Sequence, residues 1–324
     1  MTADFNLDPE AAAFDRRIED RRNAGFVPDI RRAVKCEYFY KSFWRDPHFI
    51  NLYIGEMVEN YLRMLGVYGG HNLKILDVGC GAGYISLELA RSGHHVVGID
   101  ISKKSIESAK ETLKSNPFKT GFGSLEYHVM PFSEIEGNYD AILFSGVLHH
   151  LDDLENTVCK AFELLPPDGL ILCHEPCHEM WRKEDATHVA LIRTLLSLTG
   201  FWYEHDLGTK THLDQKIFQS YIEEIHTEYV TEKDPHEEGQ SPNDNSANGQ
   251  EILACLRKHF EEIEYKQSFS FIYRLLGGLR GDDKTVRKIA DFVTLYDKFS
   301  VENGLLKPNY FYFIGAKKKL RFSL

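Results

Sequence analysis

The stretch Ile75-Leu76-Asp77-Val78-Gly79-Cys80-Gly81-Ala82-Gly83-Tyr84 decides the fold. An aliphatic run ends, three glycines follow at alternate positions, and a helix-prone segment opens at once. Gly79 and Gly81 permit backbone angles and a close approach that a side chain would block. The free amides of the helix that starts there suit an electronegative ligand group. A second apolar run ends at Asp100, 21 residues after Gly79. A carboxylate at that place can bridge two ribose hydroxyls.

Outward from this turn, short apolar runs alternate with helical stretches. The pattern predicts strands at 74–78, 95–99, 125–129, 139–145 and 170–174, with helices at 82–92, 103–114 and 154–165. Runs such as Ala141-Ile142-Leu143-Phe144 and Leu170-Ile171-Leu172-Cys173 are apolar at every position. Such strands are buried on both faces, as in a parallel sheet covered by helices. Right-handed crossovers then make the unit an α/β, doubly wound one.

The flanks differ from this core. Residues 1–70 read as a helical cover: a charged segment at 9–34, an aromatic cluster (Tyr38, Phe39, Tyr40, Phe43, Trp44, Phe49, Tyr53) and an amphipathic helix at 55–65. The binding core spans 71–175. A helical insertion occupies 176–260, with helices near 185–198 and 214–224. Within it, 231–250 has one small aliphatic residue, Ala247, and no aromatic, which predicts a mobile acidic surface loop. Strand pattern resumes at 263–272, then a helix at 284–303 and a strand at 310–316, so 261–324 completes the sheet.

Composition limits the partners. With 43% hydrophobic and 27% charged residues, the chain is neither disordered nor fibrous. Its formal net charge of −11 points away from nucleic acid; the only dense basic run, Lys317, Lys318, Lys319 and Arg321, reads as a solvated tail. Six irregularly spaced cysteines imply no disulfide framework. Met1 to Glu10 lacks the apolar core of a secretory signal, and no apolar run approaches membrane-spanning length. A reducing cytoplasm is the expected address.

Two cofactor chemistries share a glycine turn of this kind. A dinucleotide fingerprint needs a glycine where Tyr84 stands, which disfavours a nicotinamide oxidoreductase. The spacing Gly-x-Gly-x-Gly, with Asp77 two residues ahead, instead resembles the class I methyltransferases that use S-adenosylmethionine. The resemblance extends over 74–169 and more loosely to 316: Asp140 opens the fourth strand, Leu148-His149-His150-Leu151-Asp152 follows it, and Pro166-Pro167-Asp168-Gly169 precedes the fifth. It implies a mostly parallel seven-stranded sheet with the last strand antiparallel. It also implies S-adenosylmethionine held by Asp77, Gly79, Cys80, Gly81, Gly83, Asp100, Ile101 and Ser145. Many relatives place an acid after the third strand to meet the adenine amine. Here Val129-Met130-Pro131-Phe132-Ser133 leaves adenine to backbone groups and apolar packing near Met130 and Phe132.

His174-Glu175-Pro176-Cys177-His178 matches the His-Glu-x-x-His pattern of zinc proteases. That chemistry needs both histidines on one helical face, and Pro176 opposes a helix through Glu175. A looser metal site using Cys173, His174, Cys177 or His178 stays open; no metal is assigned. At the carboxyl ends of the fourth and fifth strands, His149, His150, His174, Glu175 and His178 instead crowd one pocket edge. His150 is the first choice for a base toward the methyl acceptor, at a position where the resembled family often has a histidine. The aromatic cluster reads as core or as a lid offering cation–π contact to the sulfonium. Arg45 is read as part of a surface ion pair, with the methionine carboxylate as the alternative partner. The acceptor is expected to be a small molecule methylated on oxygen, nitrogen or carbon, with a protein acceptor left open. A catalytically silent cofactor-binding module is the alternative.

Overall fold

The computed structural model describes residues 7–36, 42–151, 153–204, 207, 214–231, 241–244 and 246–317. Seven strands form one sheet: β1 (Lys74–Val78), β2 (His95–Asp100), β3 (Ser124–Val129), β4 (Ala141–Ser145), β5 (Leu170–Pro176), β6 (Phe260–Gln267) and β7 (Tyr310–Lys317). Their order is β3-β2-β1-β4-β5-β7-β6, and β7 runs antiparallel to both neighbours. The chain reverses its direction of strand addition at β1 and β4, so a crevice opens at their carboxyl ends.

The uninterrupted apolar runs have the expected consequence. Along β1, β4, β5 and β7, alternate residues enter two separate cores. Ile75, Leu143, Leu172, Tyr312 and Ile314 face one; Leu76, Ile142, Phe144, Ile171, Phe311 and Phe313 face the other. Helices cover both faces: α1 (Leu7–Asn23), α2 (Pro47–Ile50), α3 (Glu56–Met64), α4 (Tyr84–Arg91), α5 (Lys103–Lys114), α6 (Leu154–Leu164), α7 (Lys183–Leu198), α8 (Gln215–Thr231), α9 (Gly249–His259), α10 (Ile272–Leu275) and α11 (Asp283–Glu302). Side chains satisfy the open helix ends. Ser102 accepts from Ser105 N before α5, Asp153 from Asn156 N before α6, and Asn248 with Glu251 forms a reciprocal capping box before α9.

Two expectations change. The strand placed at 263–272 lies at Phe260–Gln267. Beyond it, the Asp297 carboxylate accepts the amides of Ser270, Phe271 and Ile272, which turns the chain into α10. The loop expected at 231–250 is shorter than its composition suggested. Thr231 closes α8, and Gly249 and Gln250 open α9. Ala247 is buried, and Ser241 and Asn243 bond to Glu10. Polar side chains here find protein partners in place of water. The rest of that expectation, 232–240 and 245, lies outside the described residues, as do Lys318, Lys319 and Arg321 of the tail. Lys317 itself ends β7 and donates to Leu165 O.

Candidate active site

A cavity of about 790 Å³ lies over the carboxyl ends of β1, β2 and β4. Its floor is the glycine turn. Gly79 has φ 65°, and a Cβ there would come within 2.5 Å of Val147. Gly81 has φ 53° with open space where its Cβ would stand, so backbone faces the cavity directly. Asp100 ties the turn to β2: its carboxylate accepts Gly81 N at 2.8 Å and Ser102 N at 2.7 Å. Burial pushes that carboxyl up to about 6, against the pull of these two amides.

Of the residues expected to hold the cofactor, Gly79, Cys80, Gly81, Asp100, Ile101, Met130, Phe132 and Ser145 line this cavity, and so does His150. Asp77 and Gly83 do not. Asp77 is buried beneath the turn, where it accepts the Ser86 hydroxyl and burial pushes its carboxyl up to about 7. Gly83 closes the turn through its amide to Cys80 O, and its own carbonyl accepts Tyr127 OH. Both therefore sit where they shape the turn from below.

The helical cover expected at 1–70 supplies a roof, but the sequence reading singled out none of the residues that form it. Glu10, Phe14, Arg17, Ile18 and Arg21 line the cavity from one face of α1. Their spacing of four, three, one and three residues is that of a helical stripe, a signal hidden by the even distribution of charge along the segment. Asp15 fixes the helix in place by accepting Ser102 OH at 2.6 Å and Lys104 N at 3.0 Å at the start of α5. The Arg21 guanidinium lies 5.6 Å from the Trp44 ring centroid. The aromatic cluster, by contrast, is core. Trp44 and Phe49 are buried, and Trp44 packs on Phe26, Phe43 and Tyr84. Tyr38, Phe39 and Tyr40 lie outside the described residues. Arg45 turns away from the cavity and donates to Gly277 O and Leu279 O.

His150 lines the cavity, and its ring lies 4.1 Å from that of His149 behind it. His150 Nδ1 lies 3.4 Å from Glu10 Oε1 and 3.2 Å from Ser241 Oγ. Burial and the neighbouring His149 push the His150 pKa down, while Glu10 and Asp244 oppose them, so the imidazole is neutral at pH 7. Burial pulls the Glu10 carboxyl up, but bonds from His150, Ser241 and Asn243 outweigh it and leave the carboxyl below its usual range. His149 is buried and bonds Glu175 at 2.8 Å.

The protease-like motif is dismantled by the strand. His174 and Glu175 are consecutive residues of β5 and point to opposite faces. His174 stacks on Tyr310, Glu175 holds the loop after β4, and His178 bonds Asn309. Among the described residues, the groups that could ligate a metal are His149/His150/Asp244 and Glu155/Cys159/His259.

A switch-point cavity over a Gly-x-Gly-x-Gly turn, on a sheet with a reversed last strand, defines the S-adenosylmethionine-dependent methyltransferase fold. Residues 70–224 match a family model described as a methyltransferase domain. That stretch is a methyltransferase domain of the class that takes S-adenosylmethionine as cofactor. It is 35% identical over 102 residues to a ubiquinone biosynthesis O-methyltransferase of Pelagibacter ubique, a match covering 31% of this chain and 40% of that one. It is 30% identical over 150 residues to ribosomal RNA small subunit methyltransferase C of Alcanivorax borkumensis, covering 42% and 44%. The chain thus spans less than half the length of these two relatives. The solved structure of the [4+2]-cyclase SpnF shares the fold at 11% identity, with a TM-score of 0.51 over 96% of this chain and 94% of that one.

Proposed function

We propose that the protein moves the methyl group of S-adenosylmethionine to an oxygen, nitrogen or carbon of a small molecule. The observation carrying this reading is the roof: one face of α1 continues the cavity from the glycine turn to His150. A volume of about 790 Å³ suits a nucleoside donor together with a small acceptor. The kinship with the O-methyltransferase agrees with a small acceptor.

S-adenosylmethionine supplies an already activated methyl group, so the protein's work is alignment, exclusion of water and removal of a proton. In this reading Asp100 accepts the ribose hydroxyls, while Ile101, Met130 and Phe132 pack on the adenine. Arg21, on the roof beside Tyr84, takes the methionine carboxylate. Neutral His150 accepts the acceptor's proton, and the adjacent Glu10 carboxylate stabilises the imidazolium that forms. No helix among the described residues is long and apolar enough to cross a membrane.

The test is incubation of the full chain with methyl-labelled donor and a host extract split into small-molecule and macromolecular fractions. Label should enter a compound of the small-molecule fraction. Label confined to RNA or protein would overturn the acceptor class, and binding of donor without any transfer would point to a silent module.

A further inference from the structure

α6 lines the cavity through Asn156, Thr157 and Lys160; beside it packs α9, and each helix presents outside the cavity lining a pair of metal-binding side chains one turn apart. Glu155 and Cys159 lie at i and i+4 on α6; Cys255 and His259 lie at i and i+4 on α9. That spacing puts each pair on one helical face. The two faces meet. His259 Nε2 is 2.8 Å from Glu155 Oε1 and 3.8 Å from Cys159 Sγ, and Cys255 Sγ is 3.5 Å from Glu155 Oε2.

We propose that Glu155, Cys159, Cys255 and His259 form a zinc site that clasps α6 to α9. A tetrahedral ion with Zn–S near 2.3 Å and Zn–N or Zn–O near 2.0–2.2 Å sets its ligand atoms about 3.4–3.6 Å apart. Glu155, Cys159 and His259 hold their ligand atoms within 4.8 Å of one another before any ion is added, and Cys255 approaches the other carboxylate oxygen of Glu155. Two sulfurs, one imidazole and one carboxylate select zinc over the hard cations magnesium and calcium. Cys159, Cys255 and His259 are half-buried and Glu155 is exposed, so an ion has an open approach. Lys258 also reaches Glu155, but its side chain is 63% exposed and can swing into water as the ion enters. Both thiols lose their protons to solvent on binding.

The position gives the site a purpose. α6 follows the loop that carries His149 and His150, and α9 follows the segment whose Ser241 and Asn243 bond Glu10. A clasp between them fixes the end of the insertion against the core, at the side where the cavity closes.

The experiment uses the full reduced chain, freed of metal, then titrated with zinc and with cobalt(II). The expected result is one zinc per chain retained through dialysis, a raised Tm, and a cobalt complex with thiolate-to-metal charge-transfer absorption. Cys159→Ser with Cys255→Ser should abolish that absorption and the Tm rise, while the metal-free protein melts as before. Should the double variant fold poorly, His259→Gln should weaken zinc binding at least tenfold and shift the cobalt spectrum. Cobalt binding without charge transfer would place the ion on His149, His150 and Asp244, which offer no sulfur, and overturn the proposal. So would a wild-type chain that retains no zinc, the mark of an ordinary surface ion-pair cluster.

Discussion

His149 Nδ1 lies 2.8 Å from the Glu175 carboxylate, joining the loop after β4 to the end of β5. The other carboxylate oxygen accepts Val147 N at 2.9 Å and Leu148 N at 3.0 Å. Three donors thus converge on an acid with no solvent exposure. Burial alone would raise this carboxyl; the imidazole and the two amides outweigh it and hold it below the usual range. The loop that presents His150 to the cavity is therefore set by a buried charge on the neighbouring strand.

Removing that charge should loosen the loop. Glu175→Gln keeps an amide oxygen for Val147 and Leu148 and should cost about 1.5–3 kcal/mol, the worth of a charge-assisted bond. Glu175→Ala strands three buried donors and should cost about 3–5 kcal/mol. Because the folded carboxyl is held low, its contribution is complete above the unfolded value near 4.5 and is lost as pH falls through the folded one. Denaturant unfolding of the two variants across pH measures both effects. Equal stability of wild type and Glu175→Ala would refute the role given to this acid.

Asp100 predicts a pH-dependent cofactor affinity. If the ribose hydroxyls donate to this carboxyl, it must be ionised, and burial pushes it up to about 6. Affinity for S-adenosylhomocysteine should therefore be constant above that value and fall as pH drops below it. Asp100→Asn should weaken binding about 10- to 100-fold at pH 7.5 and flatten the pH dependence. Calorimetry at several pH values reads both; a variant with wild-type affinity would remove Asp100 from the ribose.

Much of this was legible because it depends on periodicity. Uniformly apolar runs such as Ala141–Phe144, bounded by turn signals, read as central strands, and Gly79, Gly81 and Gly83 mark the strand-to-helix turn beneath the cavity. What was hidden depends on long-range contact. Glu10 meets His150 and Ser241 across 140 and 231 positions of chain, and nothing local to Glu10 marks it as part of a site. The 231–250 composition misled for the same reason: Ser241 and Asn243 bond to a distant carboxylate, so polarity there does not mean solvent. Arg45 stood among aromatics in sequence, yet its partners are carbonyls of Gly277 and Leu279, which local reading could not supply.

Arg21 can be tested by shortening the ligand. If its guanidinium holds the methionine carboxylate, Arg21→Met should weaken S-adenosylhomocysteine about 10- to 100-fold. Binding of 5′-methylthioadenosine, which has no amino-acid moiety, should be unchanged. Equal losses for both ligands would mean that Arg21 only supports the α1 roof against Trp44.

His174 should make the protein acid-sensitive. It is buried between β5 and β7, 4.4 Å from the Tyr312 ring, and burial pushes its pKa down to about 3. The unfolded chain takes up this proton near 6.5 while the folded one stays neutral. Stability from this residue is thus complete above about pH 6.5 and declines by at most about 1.4 kcal/mol per unit as pH falls toward 3. His174→Phe keeps the aromatic stack and removes the titration. The stability difference between wild type and variant should move in the variant's favour between pH 6.5 and 4; a difference independent of pH would show that His174 does not resist protonation.

The last prediction concerns the proton itself. Glu10, on the roof, and His150, after β4, meet in the cavity wall. If His150 takes the acceptor's proton, His150→Ala should reduce turnover about 10²–10⁴-fold and leave cofactor affinity nearly intact. The base works only when neutral, and burial with His149 holds its pKa below the ordinary 6.5. The rate should therefore be flat above neutrality and fall only at pH below 6.5. Glu10→Gln separates stabilisation of the imidazolium from mere packing: the amide keeps bonds to Ser241 and Asn243 but removes the charge. It should lower the rate, leave KM for the cofactor unchanged and move the acid limb of the profile still lower, because the imidazolium has lost its counter-charge. A Glu10→Gln enzyme with lowered stability but an unmoved profile would make Glu10 a structural clamp. An unimpaired His150→Ala enzyme would leave the reaction to alignment and exclusion of water.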